Sequence, residues 1–318
     1  MSQAISLTNG VSITGFGSYL PSQRITEIPP LDEPISRERL ERIGVHTRYR
    51  AGRGEGIAEM GARAAQRALE HSGVSAESID LVILSNWTQR RYLPDTAPRI
   101  QQMIGASKAF SFDVCCSCAG FVVGLTLAST LMTSRRYRRA LVVASETTSQ
   151  RARPGSRATL IYSDGAGAAV LEAPARGSSA IRDVELRSIA DQNDIMDITP
   201  DGYTRCHIEQ RDLIKLAARS LVDVSRTVLE RNGLSLTDID WIIPHSGTAG
   251  VQATLKADLG ISADRVLSNL PHVGNLSSAA IPVAAEHFIR QGKVKPGQTV
   301  LLASVGTGFY AGAALITV

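Results

Sequence analysis

The feature of this sequence that most constrains its fold is an internal duplication. The segment LEHSGVS at 69–75 precedes an apolar run at 79–85, and LERNGLS at 229–235 precedes a similar run at 239–245. The second copy thus begins half a chain length after the first, in a chain of 318 residues. In each copy a helical pattern ends and is followed by a short apolar run, which is typical of a buried strand. We therefore expect two similar α/β halves.

Further matches follow in the same order along the chain. Cys118 and Ser278 are separated by the same offset as the two copies, and each stands at the start of an apolar stretch of helical length. A constant order of matches indicates that one strand–helix unit was duplicated, so the halves are expected to pack across a pseudo-twofold axis. The remaining matches are LVVAS at 141–145 with VLLAS at 300–304, and AGAAV at 166–170 with AGAAL at 311–315.

A linker-like segment separates the two halves. Residues 173–182 contain a proline, a glycine and consecutive serines, which together mark a break between regular elements. We predict an N-terminal half at residues 1–175, which carries Cys118, and a C-terminal half at 176–318. Because strands alternate with helices in each half, the predicted fold class is α/β, with helices covering mixed or parallel sheets.

The composition is that of an ordinary globular protein, with 43% hydrophobic and 20% charged residues. The net charge of +4 suits an acidic partner, such as a phosphorylated cofactor or an acidic carrier protein. Aromatic residues make up only 5% and no nucleic-acid-binding motif is recognised, so we expect no nucleic-acid partner. The longest apolar run, 119–132, is shorter than the ~20 residues that span a bilayer, and no signal peptide is visible. We expect no membrane association and a cytoplasmic location.

Cys118 is the candidate nucleophile. Residues 112–116 alternate like a short strand, and from Ala119 onward the pattern is a nearly all-apolar helix. This places Cys118 at a helix start, where unpaired N–H groups and the helix dipole favour an anion. We expect the pKa of its thiol to be lowered, which would make it a nucleophile. A small buried core cysteine is the alternative interpretation.

The other cysteines do not favour metal or redox chemistry. Cys115 and Cys118 form a C-x-x-C, but Cys206 stands alone and no histidine lies near the motif in the sequence. Four cysteines, three of them crowded together, do not resemble a disulfide framework, which indicates a reducing compartment. We expect no metal and no redox cofactor, and we assign Cys115 and Cys116 to packing.

The two halves differ where chemistry is expected. Ser85 ends the first-half strand, whereas His245 stands at the matching position of the second half. Chemistry in open α/β folds lies at the carboxyl ends of strands, and Asn275 also falls in such a loop. A structural role for His245, a turn role for Asn275 and competition from His272 are the alternatives. Their matching positions on duplicated halves favour one site shared by Cys118, His245 and Asn275.

These segments also resemble a known family. The motif DVCCSCAGF at 113–121 is similar to the nucleophile motif of the β-ketoacyl-acyl carrier protein (ACP) synthases III, in the thiolase-fold superfamily. The PH at 244–245 and the GN at 274–275 resemble the segments that carry the histidine and asparagine of that family. SDGAGAA at 163–169 and GTGF at 306–309 also match, so the resemblance covers nearly the whole chain.

The resemblance implies a five-layered α-β-α-β-α thiolase-like fold, a homodimer and thioester substrates. It implies that Cys118 takes an acyl group from acyl-CoA or acyl-ACP and condenses it with a malonyl thioester by decarboxylative Claisen condensation. The backbone N–H groups of Cys118 and Thr307 would form the oxyanion hole. His245 and Asn275 would bind the malonyl thioester carbonyl and stabilise the enolate formed when carbon dioxide leaves. No metal or separate cofactor is implied.

Four residues are implied in substrate binding by the same resemblance. Arg42 and Arg157 fall where the family contacts the coenzyme A nucleotide, and arginine forks suit phosphates. Lys215 falls on the helix that docks the acyl carrier protein, the implied partner. Leu93 falls where a residue reaches into the acyl pocket of the partner subunit.

Several positions depart from the family pattern. Thr248 replaces an asparagine, Gly250 replaces a basic residue that helps to dock the carrier, and Glu38 stands where a tryptophan is expected. The segment 183–207 is also short. These differences indicate a specialised relative in a fatty-acid, polyketide or secondary-metabolite pathway. The alternatives are a non-condensing acyltransferase that acylates an alcohol or amine, and a non-catalytic binding protein on a degenerate scaffold.

Overall fold

The computed structural model describes residues 10–174, 179–245 and 247–318. The predicted boundary between 175 and 176, and the glycine and first serine of the predicted linker, therefore lie outside the described residues. So does Ser246, which belongs to the loop after His245. The division into halves at that boundary stays a prediction.

The described residues form thirteen strands and eight helices. The strands are β1 (Ser12–Tyr19), β2 (Gln23–Ile25), β3 (Arg48–Arg50), β4 (Leu81–Ser85), β5 (Phe110–Val114), β6 (Arg139–Thr147), β7 (Asp164–Glu172), β8 (Ala180–Ser188), β9 (Met196–Ile198), β10 (Thr204–Cys206), β11 (Trp241–Pro244), β12 (Thr299–Gly306) and β13 (Tyr310–Thr317). The helices are α1 (Arg37–Ile43), α2 (Ile57–Ser72), α3 (Ala97–Ile104), α4 (Gly120–Thr133), α5 (Gln210–Arg231), α6 (Ala249–Leu259), α7 (Leu270–Val273) and α8 (Ala280–Arg290).

Two mixed sheets form the frame of the protein. The first has the strand order β1-β7-β6-β4-β5, and the second has the order β11-β12-β13-β8. In the first sheet β4 is parallel to β5 and β6, while β7 is antiparallel to β6 and β1. The second sheet repeats this pattern, since β12 is parallel to β11 and antiparallel to β13. The predicted mixed sheets of an α/β fold are thus confirmed.

The strand register corrects one of the predicted matches. Leu81 lies opposite Ala140, and Trp241, the counterpart of Leu81 in the second copy, lies opposite Val300. Ala140 therefore corresponds to Val300, and the match of 141–145 with 300–304 was wrong by one residue. Similar apolar runs align equally well at neighbouring positions, and only the hydrogen-bonded register distinguishes them.

The helices complete five layers. Helices α2 and α3 cover the outer face of the first sheet, and α5 and α6 cover the outer face of the second. Helices α4 and α8 lie between the sheets, where they share one apolar core with the inner faces of both. Because α4 is buried between two sheets, it is apolar around most of its circumference. The predicted α-β-α-β-α architecture is confirmed.

Helix α5 is the long amphipathic helix of the second half. Its apolar residues, including Leu221 and Val228, are buried against the outer face of the second sheet. Lys215 lies off this stripe and is exposed. Among the described residues no helix is long and apolar enough to cross a membrane.

Candidate active site

Cys118 lies at the junction between a strand and a central helix. It occupies a short 3-10 turn, Ser117–Ala119, between β5 and α4, and a matching turn, Ser277–Ala279, precedes α8. Ser117 and Ser277 both have left-handed backbones, with φ of 47° and 54°. The two turns contact each other, so the duplicated helix starts meet between the two sheets.

A cavity of about 940 Å³ brings together Cys118, His245 and Asn275. Thr307 also lines this cavity, as do the more exposed Arg42, Arg157 and Lys215. Leu93 does not line it: this residue lies on the loop between β4 and α3 and is 90% exposed. His272 is exposed on α7 and lies outside the cavity, so it does not compete with His245.

His245 follows β11 and is buried. Its backbone N–H donates to the carbonyl of Ala303 at 2.8 Å, which extends the pairing of β11 with β12. Burial lowers the pKa of His245 to about 4, because the charged imidazolium is disfavoured away from water. The imidazole is therefore neutral at physiological pH.

The side chains of His245 and Asn275 face the same space. A Cβ atom built on Gly247 would lie 3.6 Å from Nδ2 of Asn275 and 4.0 Å from Nε2 of His245. The amide of Asn275 is held by its Oδ1, which accepts a hydrogen bond of 2.8 Å from the backbone N–H of Ser277. This bond turns the NH2 group of Asn275 away from Ser277, so that both side chains present nitrogen to the cavity.

The thiol of Cys118 has a raised pKa, which contradicts the expectation of a lowered one. Burial raises the pKa to about 12 and outweighs the hydrogen bond of 3.2 Å that the Ser277 hydroxyl donates to Sγ. The charge of Glu146 raises it further. The effect of a helix start was overestimated because the sequence does not show how deeply Cys118 lies between the packed layers, where it is only partly exposed at the cavity. Cys118 is thus a protonated thiol at physiological pH.

Gly306 gives the backbone of Cys118 access to the cavity. A Cβ atom at this position would lie 2.7 Å from the amide nitrogen of Cys118 and 3.0 Å from that of Ala119. A side chain here would therefore cover the N–H groups at the start of the central helix. Glycine leaves the N–H of Cys118 uncovered, whereas the N–H of Ala119 already donates to the carbonyl of Cys116 at 3.1 Å.

In the first half, the position that matches Gly306 carries a large side chain, that of Glu146. By the strand register, Glu146 corresponds to Gly306, since each stands at the same number of positions after Ala140 or Val300. The carboxyl of Glu146 accepts a hydrogen bond of 2.6 Å from Ser278, the counterpart of Cys118. Burial raises the pKa of Glu146 to about 8. The duplicated helix starts are thus unequal, because a buried carboxyl replaces open space at one of them.

The outer part of the cavity is basic. Arg42 pairs with Glu38 at 2.5 Å, and Arg157 pairs with Glu33 at 3.2 Å. Glu38, which stands where the family pattern has tryptophan, thus contacts one of the predicted phosphate-binding arginines. Sequence analysis missed several lining residues, because the β9–β10 hairpin and the loop before β7 have no recognisable motif and exposed arginines on helices have many roles. These residues are Met196, Thr204, Cys206 and Tyr162, together with Arg39 on α1 and Arg211 on α5.

Gly250, one of the departures from the family pattern, is closely packed. A Cβ atom on Gly250 would lie 3.0 Å from the side chain of Ile214 on α5 and 3.6 Å from the carbonyl oxygen of Arg42. The start of α6 is therefore wedged between α1 and α5. A Cβ atom in the place of Gly250 would require the end of the Ile214 side chain to shift by a few tenths of an ångström.

All four cysteines are free thiols. Cys115 is exposed, so its predicted packing role was wrong, while Cys116 is partly buried. Cys206 is exposed but lines the cavity. Within 10–174, 179–245 and 247–318, no group of three or more His, Cys, Asp or Glu side chains is arranged to hold a metal ion.

Five layers, with a cysteine at the start of one central helix, a histidine after β11 and an asparagine just before the other central helix, define a thiolase-fold enzyme. The family description 3-Oxoacyl-[acyl-carrier-protein (ACP)] synthase III matches residues 112–190, and its C-terminal counterpart matches 229–318. The beta-ketoacyl-[acyl-carrier-protein] synthase III of Paramagnetospirillum magneticum is 35% identical over 320 residues, covering 96% of this chain and 98% of the relative. The chain therefore belongs to the β-ketoacyl-ACP synthase III family, whose members are acyltransferases in the broad sense.

Solved structures agree with this assignment. The 3-oxoacyl-[acyl-carrier-protein] synthase III of Aquifex aeolicus VF5 has a TM-score of 0.91 and 31% identity, covering 97% of this chain and 100% of that one. The priming β-ketosynthase of the R1128 polyketide biosynthetic pathway has a TM-score of 0.87 and 27% identity, covering 100% and 99%. The similarity extends through both sheets and the central helices.

Proposed function

We propose that the protein catalyses a decarboxylative Claisen condensation in which Cys118 first carries the acyl group. One observation above all supports this: Cys118, His245 and Asn275 line a single cavity in a chain of the β-ketoacyl-ACP synthase III family. Acyl-CoA or acyl-ACP is the proposed acyl donor, and a malonyl thioester is the proposed extender. The reactive thioesters belong to the substrates, so the proposed chemistry uses no metal and no separate cofactor.

In the first half-reaction, the sulfur of Cys118 attacks the carbonyl carbon of the acyl thioester. A carbon–sulfur bond forms to Cys118, the bond to the carrier sulfur breaks, and the thiol proton ends on the released carrier thiol. The N–H groups of Cys118 and Thr307 are the proposed donors to the oxyanion. The space left by Gly306 beside the Cys118 amide supports this assignment.

In the second half-reaction, the malonyl unit loses carbon dioxide and its electron pair passes into an enolate. Hydrogen bonds from Nε2 of His245 and Nδ2 of Asn275 to the enolate oxygen stabilise it. The enolate carbon then attacks the acyl carbon, and Cys118 leaves as a thiolate that takes up a proton. Because the pKa of His245 is about 4, the imidazole acts as a neutral donor at physiological pH.

The basic outer part of the cavity is the proposed binding site for the carrier. Arg42 and Arg157 would bind the phosphates of the coenzyme A nucleotide, and Lys215 would contact an acidic acyl carrier protein. Both arginines are already paired with exposed glutamates. Exposed ion pairs contribute little stability, so a phosphate can replace the carboxylate at small cost.

We also propose a homodimer in which Leu93 reaches into the acyl pocket of the partner subunit. Tyr92 and Leu93 are 92% and 90% exposed on the same loop. Two adjacent large apolar side chains in water are the mark of a surface that a partner covers. The free thiols support the proposed reducing cytoplasm.

A non-condensing acyltransferase is the second candidate function. The altered loop after His245 supports it, because Gly250 stands where the family pattern has a basic residue that helps to dock the carrier. An acceptor other than a carrier-bound malonyl unit would not need that residue. The same departures support a specialised fatty-acid, polyketide or secondary-metabolite pathway in either case.

Intact-mass spectrometry with a panel of acyl-CoAs, followed by measurement of carbon dioxide release from malonyl-CoA and malonyl-ACP, tests the proposal. We expect a covalent adduct in the wild type that is lost in Cys118→Ala, and carbon dioxide release that depends on His245 and Asn275. An adduct without carbon dioxide release would reject condensation in favour of simple acyl transfer. No adduct with any acyl-CoA or acyl-ACP would favour the non-catalytic binding protein.

A further inference from the structure

We infer that Ser277 is a further catalytic residue, whose hydroxyl donates a hydrogen bond to the Cys118 sulfur while that sulfur carries negative charge. The inference rests on the proposed role of Cys118 as nucleophile, but it concerns the thiol itself and can be tested without any acyl substrate. Neither the Cys, His and Asn set nor the oxyanion hole includes this residue.

A directional chain of hydrogen bonds ends on the sulfur. Nε1 of Trp87 lies 2.7 Å from Oγ of Ser277, and Oγ of Ser277 lies 3.2 Å from Sγ of Cys118. An indole N–H can only donate, so the Ser277 oxygen must accept in the first bond. The hydroxyl proton of Ser277 is then available to the sulfur, which makes Ser277 a donor to Cys118.

Both members of the chain are held in place. Ser277 is buried, has a left-handed backbone with φ of 54°, and donates its own N–H to Oδ1 of Asn275. The backbone N–H groups of Trp87 and Thr88 both donate to Oε2 of Glu146 at 3.3 Å. Trp87 is therefore a positioning residue, anchored through Glu146, that acts on the sulfur only through Ser277.

The chemistry of Cys118 creates a need for such a donor. Negative charge develops on its sulfur twice, once as it attacks the acyl donor and again when it leaves after condensation. A buried thiolate without a donor is costly, and a hydrogen bond to a charged atom is stronger than one between neutral groups. Ser277 keeps its own proton throughout, so it stabilises the thiolate without taking part in proton transfer.

The other titratable groups around Cys118 do not replace this donor. Glu146 lies on β6, and once it is ionised, above its own pKa of about 8, its negative charge opposes formation of the thiolate. Tyr162 interacts with Cys118, but burial raises the pKa of its own hydroxyl to about 12, so it carries no charge at physiological pH. His245 lines the same cavity in its neutral form. Among the described residues, no lysine or arginine acts on the pKa of Cys118.

Alkylation of Cys118 by iodoacetamide as a function of pH tests the inference, with adducts located by mass spectrometry. In Ser277→Ala we expect the rate below the pKa to fall at least about tenfold and the pH profile to shift upward by about one pH unit. Trp87→Phe retains the Ser277 hydroxyl but not its fixed direction, so its shift should be smaller and of the same sign.

Two further variants separate the effect of the Ser277 hydroxyl from the effect of its backbone conformation. Ser277→Gly relieves the left-handed conformation but also lacks the hydroxyl, so it should behave like Ser277→Ala. Ser117→Ala is the matched control, because Ser117 has a similar φ of 47° and its hydroxyl makes no hydrogen bond to the described residues. Its pH profile should match that of the wild type.

Coincident pH profiles of Ser277→Ala and the wild type would overturn the inference. Wild-type behaviour in Ser277→Gly alone would also overturn it, because the effect of alanine would then come from backbone strain. If the profiles shift as expected but no acyl adduct forms, the inference about the thiol holds and the proposed function fails.

Discussion

Substitution of Gly306 by alanine is the sharpest test of the proposed oxyanion hole. The added Cβ atom would lie 2.7 Å from the amide nitrogen of Cys118, whereas such contacts are essentially never shorter than 3.0 Å. The backbone at Cys118 or at the end of β12 must therefore move until this contact lengthens to at least 3.0 Å. The atoms that clash are backbone atoms, so a side-chain rotation cannot relieve the contact.

Two costs follow from this movement. Overpacking of a tight core contact costs about 1–3 kcal/mol of folding free energy. Displacement or covering of one oxyanion donor lowers the rate about 10²–10³-fold, or roughly 3–4 kcal/mol of transition-state stabilisation. Because acylation uses the oxyanion hole without the enolate donors His245 and Asn275, the rate loss is expected in acylation of Cys118 as well as in condensation.

The assay is the rate of the Cys118 adduct in Gly306→Ala, followed by intact-mass spectrometry, together with thermal unfolding by circular dichroism. Gly52→Ala is the control, because its Cβ atom would approach only the carboxyl of Glu55, at 3.3 Å, and Gly52 lies outside the cavity. If folded Gly306→Ala is acylated at the wild-type rate, the space that Gly306 leaves beside the Cys118 amide has no role in acylation. The proposed oxyanion hole, which depends on this space, would then be refuted as well.

Three further predictions concern His245 and the substrate-binding residues. His245 is held neutral in the fold, so the unfolded chain binds more protons than the folded chain below pH 6.5. The free energy of unfolding should therefore fall as the pH decreases from 6.5 toward 4, by roughly 3 kcal/mol at most. The variant His245→Asn should show a shallower acid denaturation curve. Arg157→Ala should raise KM for acyl-CoA roughly fivefold without changing KM for acyl-pantetheine, whereas Arg37→Ala, an exposed residue outside the cavity, should change neither. Leu93→Ala should leave alkylation of Cys118 unchanged but alter the acyl-chain preference, as measured with acyl-CoAs of graded length; an unchanged preference would contradict insertion of Leu93 into the acyl pocket of a partner subunit.

Much of the fold was predictable because the duplication repeats local patterns. The strand before Cys118 and the apolar helix after it were recognised from side-chain spacing, and they correspond to β5 and α4. Matching positions in the two halves also pointed to Cys118, His245 and Asn275, which line one cavity. Because the two copies of a duplicated unit have the same local geometry, equivalent residues can be located without knowledge of the packing.

The residues that sequence analysis missed act through contacts between distant segments. Ser277 donates to a sulfur 159 positions away in the chain, and Trp87 donates to a serine 190 positions away. Serine and tryptophan have many structural roles, and neither stands in a motif that indicates this contact. Glu146 lies near the end of an apolar strand, and only the strand register shows that it corresponds to Gly306.

The sequence by itself determined that the chain has two related α/β halves, that Cys118 stands at a helix start, and that a histidine and an asparagine occupy matching loops. These properties follow from local spacing and composition, which can be read without knowledge of distant neighbours. Only the tertiary structure decided the ionisation of the site, because burial between five packed layers raises the pKa of Cys118 and lowers that of His245. The packing of the two halves also decided which helix start is open, because glycine stands at one and the buried carboxyl of Glu146 fills the other.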